Sequence, residues 1–287
     1  MFSDVLLTVD YDRTMTGPDS KIPQRNLDAV DFFMKNGGTF TINTGRSVSS
    51  FKKHLGKVPV NAPILMYNGS ARWDKGKLTD LKLLDFDLWD TVKILRSIFP
   101  NMNLEIQGVD LHYLIDPEPA YVAFYDALKW GYQISQPGDD LGPFIKFALA
   151  GSPRKKSVAT LYDTDAAEDA LFDAAQEKIL ELWGEKVEVY RAAPRIIDVH
   201  AKGVSKIAAA RQLQQELGKK ILVCAGDAEN DIPMLEGADY AFCPADGMVA
   251  DRFPNVCNCA DGAIAEVIYK KIPEILGFRL DIEPLVC

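Results

Sequence analysis

The stretch Val5-Leu6-Leu7-Thr8-Val9-Asp10-Tyr11-Asp12-Arg13-Thr14 decides the fold. It is a short, mostly apolar run that ends in two acids one residue apart. That is the pattern of a buried strand delivering carboxylates to the rim of a sheet. Side chains two apart on a strand point the same way, about 6.6 Å apart at roughly 3.3 Å per residue, so Asp10 and Asp12 are expected to share one pocket. Carboxylates that close repel each other. Without a cation their pKa values split, leaving one ionised as nucleophile or metal ligand while the other carries a proton. A strand that merely ends in an acidic turn is written with the same letters, so the rest of the chain has to decide.

Outward from this strand, residues 23–36 carry Leu27, Val30 and Phe33/Met34 at helical spacing, and Gly37-Gly38 stops the run. Residues 39–43 are β-rich and lead through Thr44-Gly45-Arg46-Ser47 into a helix-like stretch ending near Leu55; 63–67 is a third apolar strand. The tail repeats this grammar. Residues 204–217 predict a helix, 221–225 a buried strand containing Cys224, 230–236 a short helix, and 240–243 and 255–259 two strands. Ile264, Val267, Ile268 and Ile275 mark a last amphipathic helix. The middle differs: a helix over 88–99, strands over 104–106 and 111–115, a helix over 119–130, and a Gly-, Pro- and Asp-rich loop over 131–143. A strand (145–150), a helix (166–183) and two more strands (187–190, 196–200) complete it. Alternating strands and helices predict a parallel α/β sheet, and consecutive strands predict antiparallel pairing. The expected fold is therefore a parallel α/β core, residues 1–84 and 201–287, with an α+β insertion over 85–200.

The charge balance narrows the partners. With 41 acidic against 32 basic residues the net charge is -9, which disfavours nucleic acid and anionic membrane surfaces. The strongest basic run, Arg154-Lys155-Lys156, is short and follows Pro153, as a solvated turn would. No run approaches the roughly 20 apolar residues of a membrane helix, and Met1-Phe2-Ser3-Asp4 has none of the features of a signal peptide. The five cysteines are irregularly spaced, and Cys257-Asn258-Cys259 lacks a second pair or a nearby His to complete a zinc set. A cytoplasmic protein acting on a small molecule is expected; oligomeric state is not legible.

A second acidic cluster, Cys224-Ala225-Gly226-Asp227-Ala228-Glu229-Asn230-Asp231, also follows an apolar strand and precedes a helix. Capping explains Asp227 or Asn230 singly, but not three acids and an Asn at one strand end. Hard oxygen donors from two strand ends are what Mg2+ prefers. Asn43-Thr44-Gly45-Arg46-Ser47 ends another core strand, where a hydroxyl and backbone N–H groups at a helix start suit phosphoryl oxygens. Lys206, in Lys202-Gly203-Val204-Ser205-Lys206, falls in the first turn of a helix, where its charge opposes the dipole unless an anion sits beside it.

Taken in this order, the four segments resemble the haloacid dehalogenase superfamily of aspartyl-phosphate phosphatases, with a parallel-sheet, Rossmann-like core. The insertion is similar to the C2-type cap of the Cof-like sugar-phosphate phosphatases. The most specific pieces are Asp10 to Thr14 and the run from Gly226 to Leu235; Asn68-Gly69-Ser70 also looks like that group's turn before the cap. The resemblance implies Asp10 as nucleophile and Asp12 as general acid and later base. It implies Thr44, Gly45, Arg46 and Lys206 around the phosphoryl group, and Asp10, Asp12, Asp227, Asn230 and Asp231 around Mg2+. Lys202 competes for the lysine role, although Lys206 fits the spacing better. Two departures stand out: Arg13 occupies a position that is usually Gly, and Cys243-Pro244-Ala245 stands where many relatives carry Gly-Asn-Ala.

The implied activity is Mg2+-dependent hydrolysis of small phosphate monoesters, sugar or polyol phosphates foremost, in two displacements through Asp10. A phosphomutase of the phosphomannomutase kind would use the same nucleophile but needs convergent cap cations, for which Lys129, Lys146, Arg154, Lys155, Lys156, Arg191 and Arg195 are candidates. A receiver-type signalling module would be smaller and lack the acid two residues on. A non-catalytic phosphometabolite-binding protein would gain nothing from mutually repelling carboxylates.

Overall fold

A computed structural model describes residues 1–109, 111–155, 160–161 and 163–281. The chain divides into two compact units: residues 1–45, 54–79 and 205–287, and residues 46–53 and 80–204.

The first unit is built on strands β1 (Val5–Val9), β2 (Thr39–Ile42), β12 (Ile221–Ala225), β13 (Tyr240–Pro244) and β14 (Asn255–Val256). They form one sheet in the order β14-β13-β12-β1-β2, with every pairing parallel. Leu6, Leu222 and Cys224 pack with Ala209, Leu213, Met234 and Leu235 of helices α6 (Lys206–Glu216) and α7 (Ile232–Glu236). Alternation turns Val5, Leu7 and Val9 to the opposite face, where they are equally buried, so both faces are covered as a parallel sheet requires. Helix α1 (Gln24–Lys35) packs against the helical run at 263–275, which contains one wide turn (Val267–Lys271). Asn26, fully buried, ties these pieces together: Nδ2 donates to Met15 O and Oδ1 accepts from Ala265 N.

Two expectations for this unit change. The third apolar strand, β3 (Ile64–Met66), is bridged in parallel to the chain just after β2, between Leu65 and Asn43, and is not a strand of the five-stranded sheet. It otherwise pairs antiparallel with β4 (Ala71–Asp74), which pairs with β5 (Lys77–Thr79), a hairpin whose polar outer residues hid it from pattern reading. The expected strand over 255–259 stops at Val256, because Cys259–Asp261 turn into a single helical turn.

The second unit contains α2 (Val48–Phe51), α3 (Leu88–Ile98), β6 (Asn103–Gly108), β7 (His112–Ile115), α4 (Pro119–Leu128), β8 (Tyr132–Ser135), β9 (Phe144–Ala150), α5 (Ala166–Trp183), β10 (Val187–Ala193) and β11 (Ile196–Ala201). Its six-stranded sheet runs β10-β11-β9-β6-β7-β8 and is antiparallel except at β7–β8. β8 lies inside the segment expected to be a loop. It is short, sits at the sheet edge and is bounded by Gly131 and Pro137, so only its parallel partner across α4 defines it as a strand.

The two faces of this sheet are chemically opposite. Leu104, Ile106, Phe147, Leu149, Ile197 and Val199 pack against α3 and α5. The alternate positions carry Glu105, Gln107, His112, Lys146, Asp198 and His200, all buried. Glu105 accepts from Tyr121 Oη (2.7 Å), from Tyr125 Oη and from Gln107 Nε2. Lys146 Nζ lies 2.6 Å from Asp198 Oδ2. Burial opposes charge on Asp198, but Lys146 and His200 outweigh it and hold the carboxyl below the usual aspartate range.

Residues 46–53, expected to continue the core, belong to this second unit. His112 Nε2 lies 2.6 Å from Ser47 Oγ, Gly131 N donates to Ser49 Oγ at 2.9 Å, and Lys53 Nζ donates to Leu128 O. Among the described cap cations, Arg191 pairs with Asp169 and Asp173, Arg195 with Glu168, and Arg154 with Asp163, Asp165 and Glu168. Lys155 pairs with Asp163, and Lys129 is exposed at the left-handed end of α4. Lys156 lies outside the described residues. Among those residues, no helix is long and apolar enough to cross a membrane.

Burial pushes His112 down to about 4, against a smaller upward pull from Glu105. The unfolded chain therefore takes up this proton first as pH falls below about 6.5, and stability is lost between that value and about 4. The loss attributable to His112 is up to about 3 kcal/mol for a shift of this size. Urea unfolding followed by tryptophan fluorescence should show His112→Gln less stable than wild type at pH 7, with the gap closing towards pH 4. A gap independent of pH would refute the assignment.

Candidate active site

Three strand ends of the first unit meet at one rim. Asp10 N donates to Ala225 O (2.8 Å) and Asn43 N donates to Val9 O (2.8 Å), which sets Asp10 between the ends of β12 and β2. The chain then leaves the sheet. Residues Tyr11–Met15 curl into one wide turn closed by Met15 N on Asp10 O (3.2 Å) and Thr16 N on Tyr11 O (3.0 Å). This corrects the expectation of two strand carboxylates on one face: the strand stops at Val9, and half-buried Asp12 sits in the turn. Arg13 follows at φ 58°, ψ 10°, a left-handed conformation that costs a side-chain-bearing residue about 1–2 kcal/mol.

The carboxylates gathered with Asp10 are Asp227 and Asp231, each offering an oxygen within 4.8 Å of the others. All three are buried. Lys206 Nζ lies between two of them, 2.5 Å from Asp10 Oδ1 and 2.6 Å from Asp231 Oδ1. Asp231 also organises its own loop, since Oδ2 accepts from Asp227 N (3.0 Å) and Ala228 N (3.1 Å). Gly226 is required there: a Cβ at that position would lie 2.5 Å from the Asp231 carboxyl carbon. Thr14 Oγ1 donates to Asp227 Oδ1 at 2.9 Å, and Arg13 Nε stands 3.9 Å from Asp227 Oδ2.

Electrostatics follow from this crowding. Burial raises Asp10 to about 7; Lys206 pulls it down, while Asp231 and Asp12 push it up. Burial, then the charges of Asp10 and Asp231, hold Asp227 well above the usual range. Burial alone would depress Lys206, but Asp10 and Asp231 outweigh it and keep the ammonium above the usual lysine range. Three buried carboxylates against one ammonium leave excess negative charge. Their hard oxygens, converging from two strand ends, form a donor set that fits a divalent cation such as Mg2+.

The other predicted residues divide. Thr44 is buried at the end of β2, its N–H on Leu65 O (2.9 Å) and its carbonyl accepting from Asn68 N (3.1 Å). Gly45 packs so closely on Asn68 that a Cβ would stand 2.8 Å from its Oδ1. Asn230 Nδ2 donates to the same oxygen at 3.3 Å. Arg46 falls in the second unit, with Nη1 on Ser50 O at 3.3 Å. Lys202 is exposed and pairs with Glu188, so Lys206 is the lysine that meets Asp10.

Sequence reading missed Asn43, Asn68 and Thr14 as parts of this rim. Asn43, fully buried, donates from Nδ2 to Lys206 O at 2.9 Å. Its signal was an Asn directly following the β-rich run Thr39–Ile42.

Residues 7–250 match the family described as haloacid dehalogenase-like hydrolase. The chain belongs to that family. It is an enzyme of the phosphoric monoester hydrolase class, as its relatives' names agree. The 5-amino-6-(5-phospho-D-ribitylamino)uracil phosphatase of Bacillus subtilis is 23% identical, over 81% of this chain and 80% of its own. The HMP-PP phosphatase of Escherichia coli is 23% identical, over 92% of this chain and 94% of its own. The solved structure of the sugar phosphatase BT4131, of subclass IIB, superposes with a TM-score of 0.68 at 16% identity, covering 95% of this chain and 98% of that one. At that identity the likeness is one of fold.

Removing the ammonium from this cluster leaves buried carboxylates uncompensated. Lys206→Met should cost about 3–5 kcal/mol in metal-free urea unfolding at pH 8. The cost should shrink at pH 5, where Asp10, raised to about 7, is already protonated. An equal loss at both pH values would show that the Asp10 contact does not carry the cost.

Proposed function

We propose that the chain is a Mg2+-dependent phosphatase that hydrolyses small phosphate monoesters through an aspartyl-phosphate on Asp10. The observation that carries this reading is the Asp10–Lys206–Asp231 bridge with Asp227 beside it, a buried nucleophile-sized carboxylate in contact with a cation at a strand end. Asp10, Asp227 and Asp231 would hold the metal, which when bound supplies charge neutralisation for the phosphoryl oxygens.

The chain's own residues account for the remaining chemistry. An Asp10 carboxylate oxygen attacks phosphorus in line, forming the acyl phosphate bond as the ester P–O bond breaks. Asp12 donates its proton to the departing alkoxide. Water then attacks the aspartyl-phosphate with Asp12 taking its proton, which releases phosphate and restores both carboxyls. Lys206 keeps Asp10 oriented and offsets the charge that two anions bring together. Thr44 and the N–H groups of its turn are the proposed phosphoryl contacts. Asn230 is assigned to support of the acidic loop through Asn68.

The phosphoribityl compound named for the Bacillus subtilis relative supports phosphorylated sugars or polyols as the substrate class. The phosphomutase alternative is disfavoured by the ion pairs of Lys146, Arg154, Lys155, Arg191 and Arg195, each already engaged with a carboxylate. A nucleic-acid partner is disfavoured by the net charge of -9.

A panel of phosphorylated metabolites, with Mg2+ or with chelator, should yield inorganic phosphate only when Mg2+ is present. Asp10→Asn should abolish turnover, and Asp12→Asn should lower kcat about 10²- to 10⁴-fold. Wild-type turnover by Asp10→Asn on every good substrate would sink the mechanism.

A further inference from the structure

We infer that Arg13 is a built-in competitor for the proposed metal ion, a positioning residue that weakens Mg2+ binding by placing its positive charge 3.9 Å from one oxygen of Asp227. This inference rests on the metal-dependent reading above. The two oxygens of Asp227 have different neighbours. Oδ1 accepts the Thr14 hydroxyl at 2.9 Å, and Oδ2 faces Arg13 Nε at 3.9 Å. The Asp227 side chain is 3% exposed and that of Arg13 is 32% exposed, with the Nε facing the carboxylate itself buried. A divalent cation shared by Asp10, Asp227 and Asp231 has to bind the same carboxylate that Arg13 accompanies, and like charges so close repel.

The backbone shows that this is a position at which an arginine is held against preference. Arg13 sits at φ 58°, where glycine is the unstrained choice, and its N–H donates to Thr16 Oγ1 at 3.2 Å, which fixes the turn. The neighbouring cation of the cluster, Lys206, also draws on the charge of Asp227, but without touching it. Lys206 is committed to Asp10 and Asp231 and lies on neither oxygen of Asp227. With the metal absent, Arg13 is therefore the cation nearest Asp227, offsetting part of the excess negative charge. With the metal present, it is a like charge at the same carboxylate. Both effects lower the free energy gained when Mg2+ enters.

Isothermal titration of Mg2+ into the full-length chain, free of substrate, tests this directly. Arg13→Ala removes the charge and keeps the unfavourable φ, whereas Arg13→Gly removes both. Both should bind Mg2+ on the order of tenfold more tightly than wild type, the scale of change that neighbours of metal ligands produce. Arg13→Lys should stay near the wild-type Kd, and thermal unfolding of each metal-free variant verifies that it is folded. Wild-type affinity in both Arg13→Ala and Arg13→Gly overturns the inference, as does tightening in Arg13→Gly alone, which would assign the effect to backbone relief. Mg2+ binding by the wild type that Asp227→Asn abolishes keeps the metal reading intact whatever Arg13 does. Absence of Mg2+ binding by the wild type overturns both.

Discussion

A lysine ammonium buried against two carboxylates is the constraint around which the first unit is arranged. Lys206 is almost inaccessible to water, and so are Asp10 and Asp231, which it contacts at 2.5 and 2.6 Å. None of these charges is tolerable in that position alone, because an isolated buried ion costs far more than a hydrogen bond returns. The three residues come from the end of β1, the start of α6 and the loop after β12, elements far apart in the chain. Their register is held by the backbone bonds that tie Asp10 to Ala225 and Asn43 to Val9, and by Asn43, which grips the Lys206 carbonyl.

The same crowding explains why the site is poised for a cation. Asp227 is the carboxylate that Lys206 does not reach, and it is held well above the ordinary aspartate range by burial and by its acidic neighbours. Asp231 spends one oxygen on Lys206 and the other on two backbone N–H groups, which makes it as much a support for its loop as a donor. Gly226 gives that loop the room to fold onto Asp231. A local glycine, a loop-bracing aspartate and a remote lysine thus act as one unit, and changes among them will not be additive.

The second unit solves a different problem with its sheet. One face is an ordinary apolar core against α3 and α5, whereas the other buries charges and tyrosine hydroxyls in a network centred on Glu105 and on the Lys146–Asp198 pair. Burying so many polar groups is tolerable only when they satisfy one another. That requirement is why Lys146, Arg191 and Arg195, which read in the sequence as candidate substrate contacts, are found paired with carboxylates instead. Residues 46–53, attached to the first unit by sequence, are held to the second by the buried His112–Ser47 contact and by exposed bonds to Gly131 and Leu128.

The alternation of strands and helices, the acidic ends of β1 and β12 and the position of Lys206 in a first helical turn were legible from residue order, because hydrophobic period and strand-end chemistry are local properties. The broad division into a parallel core and an antiparallel insertion followed from the same periods. Tertiary structure decided the rest. Asp10 has Asp227 and Asp231 as its carboxylate neighbours and Asp12 sits in the turn after the strand, because the chain leaves the sheet at Val9 and curls through a left-handed Arg13, a bend that no alternation of polar and apolar letters encodes. Asn43 and Asn68 became parts of the rim only when long-range packing brought Lys206 and Asn230 to them. The edge strand β8 and the hairpin of β4 and β5 were hidden for a related reason: a short, half-exposed strand is defined by its hydrogen-bonded partner, not by its own residues. By itself the sequence determined that a carboxylate stands at the end of a buried strand. Only the fold determined that a lysine lies on it, since that contact spans 196 residues of chain and depends on every element between.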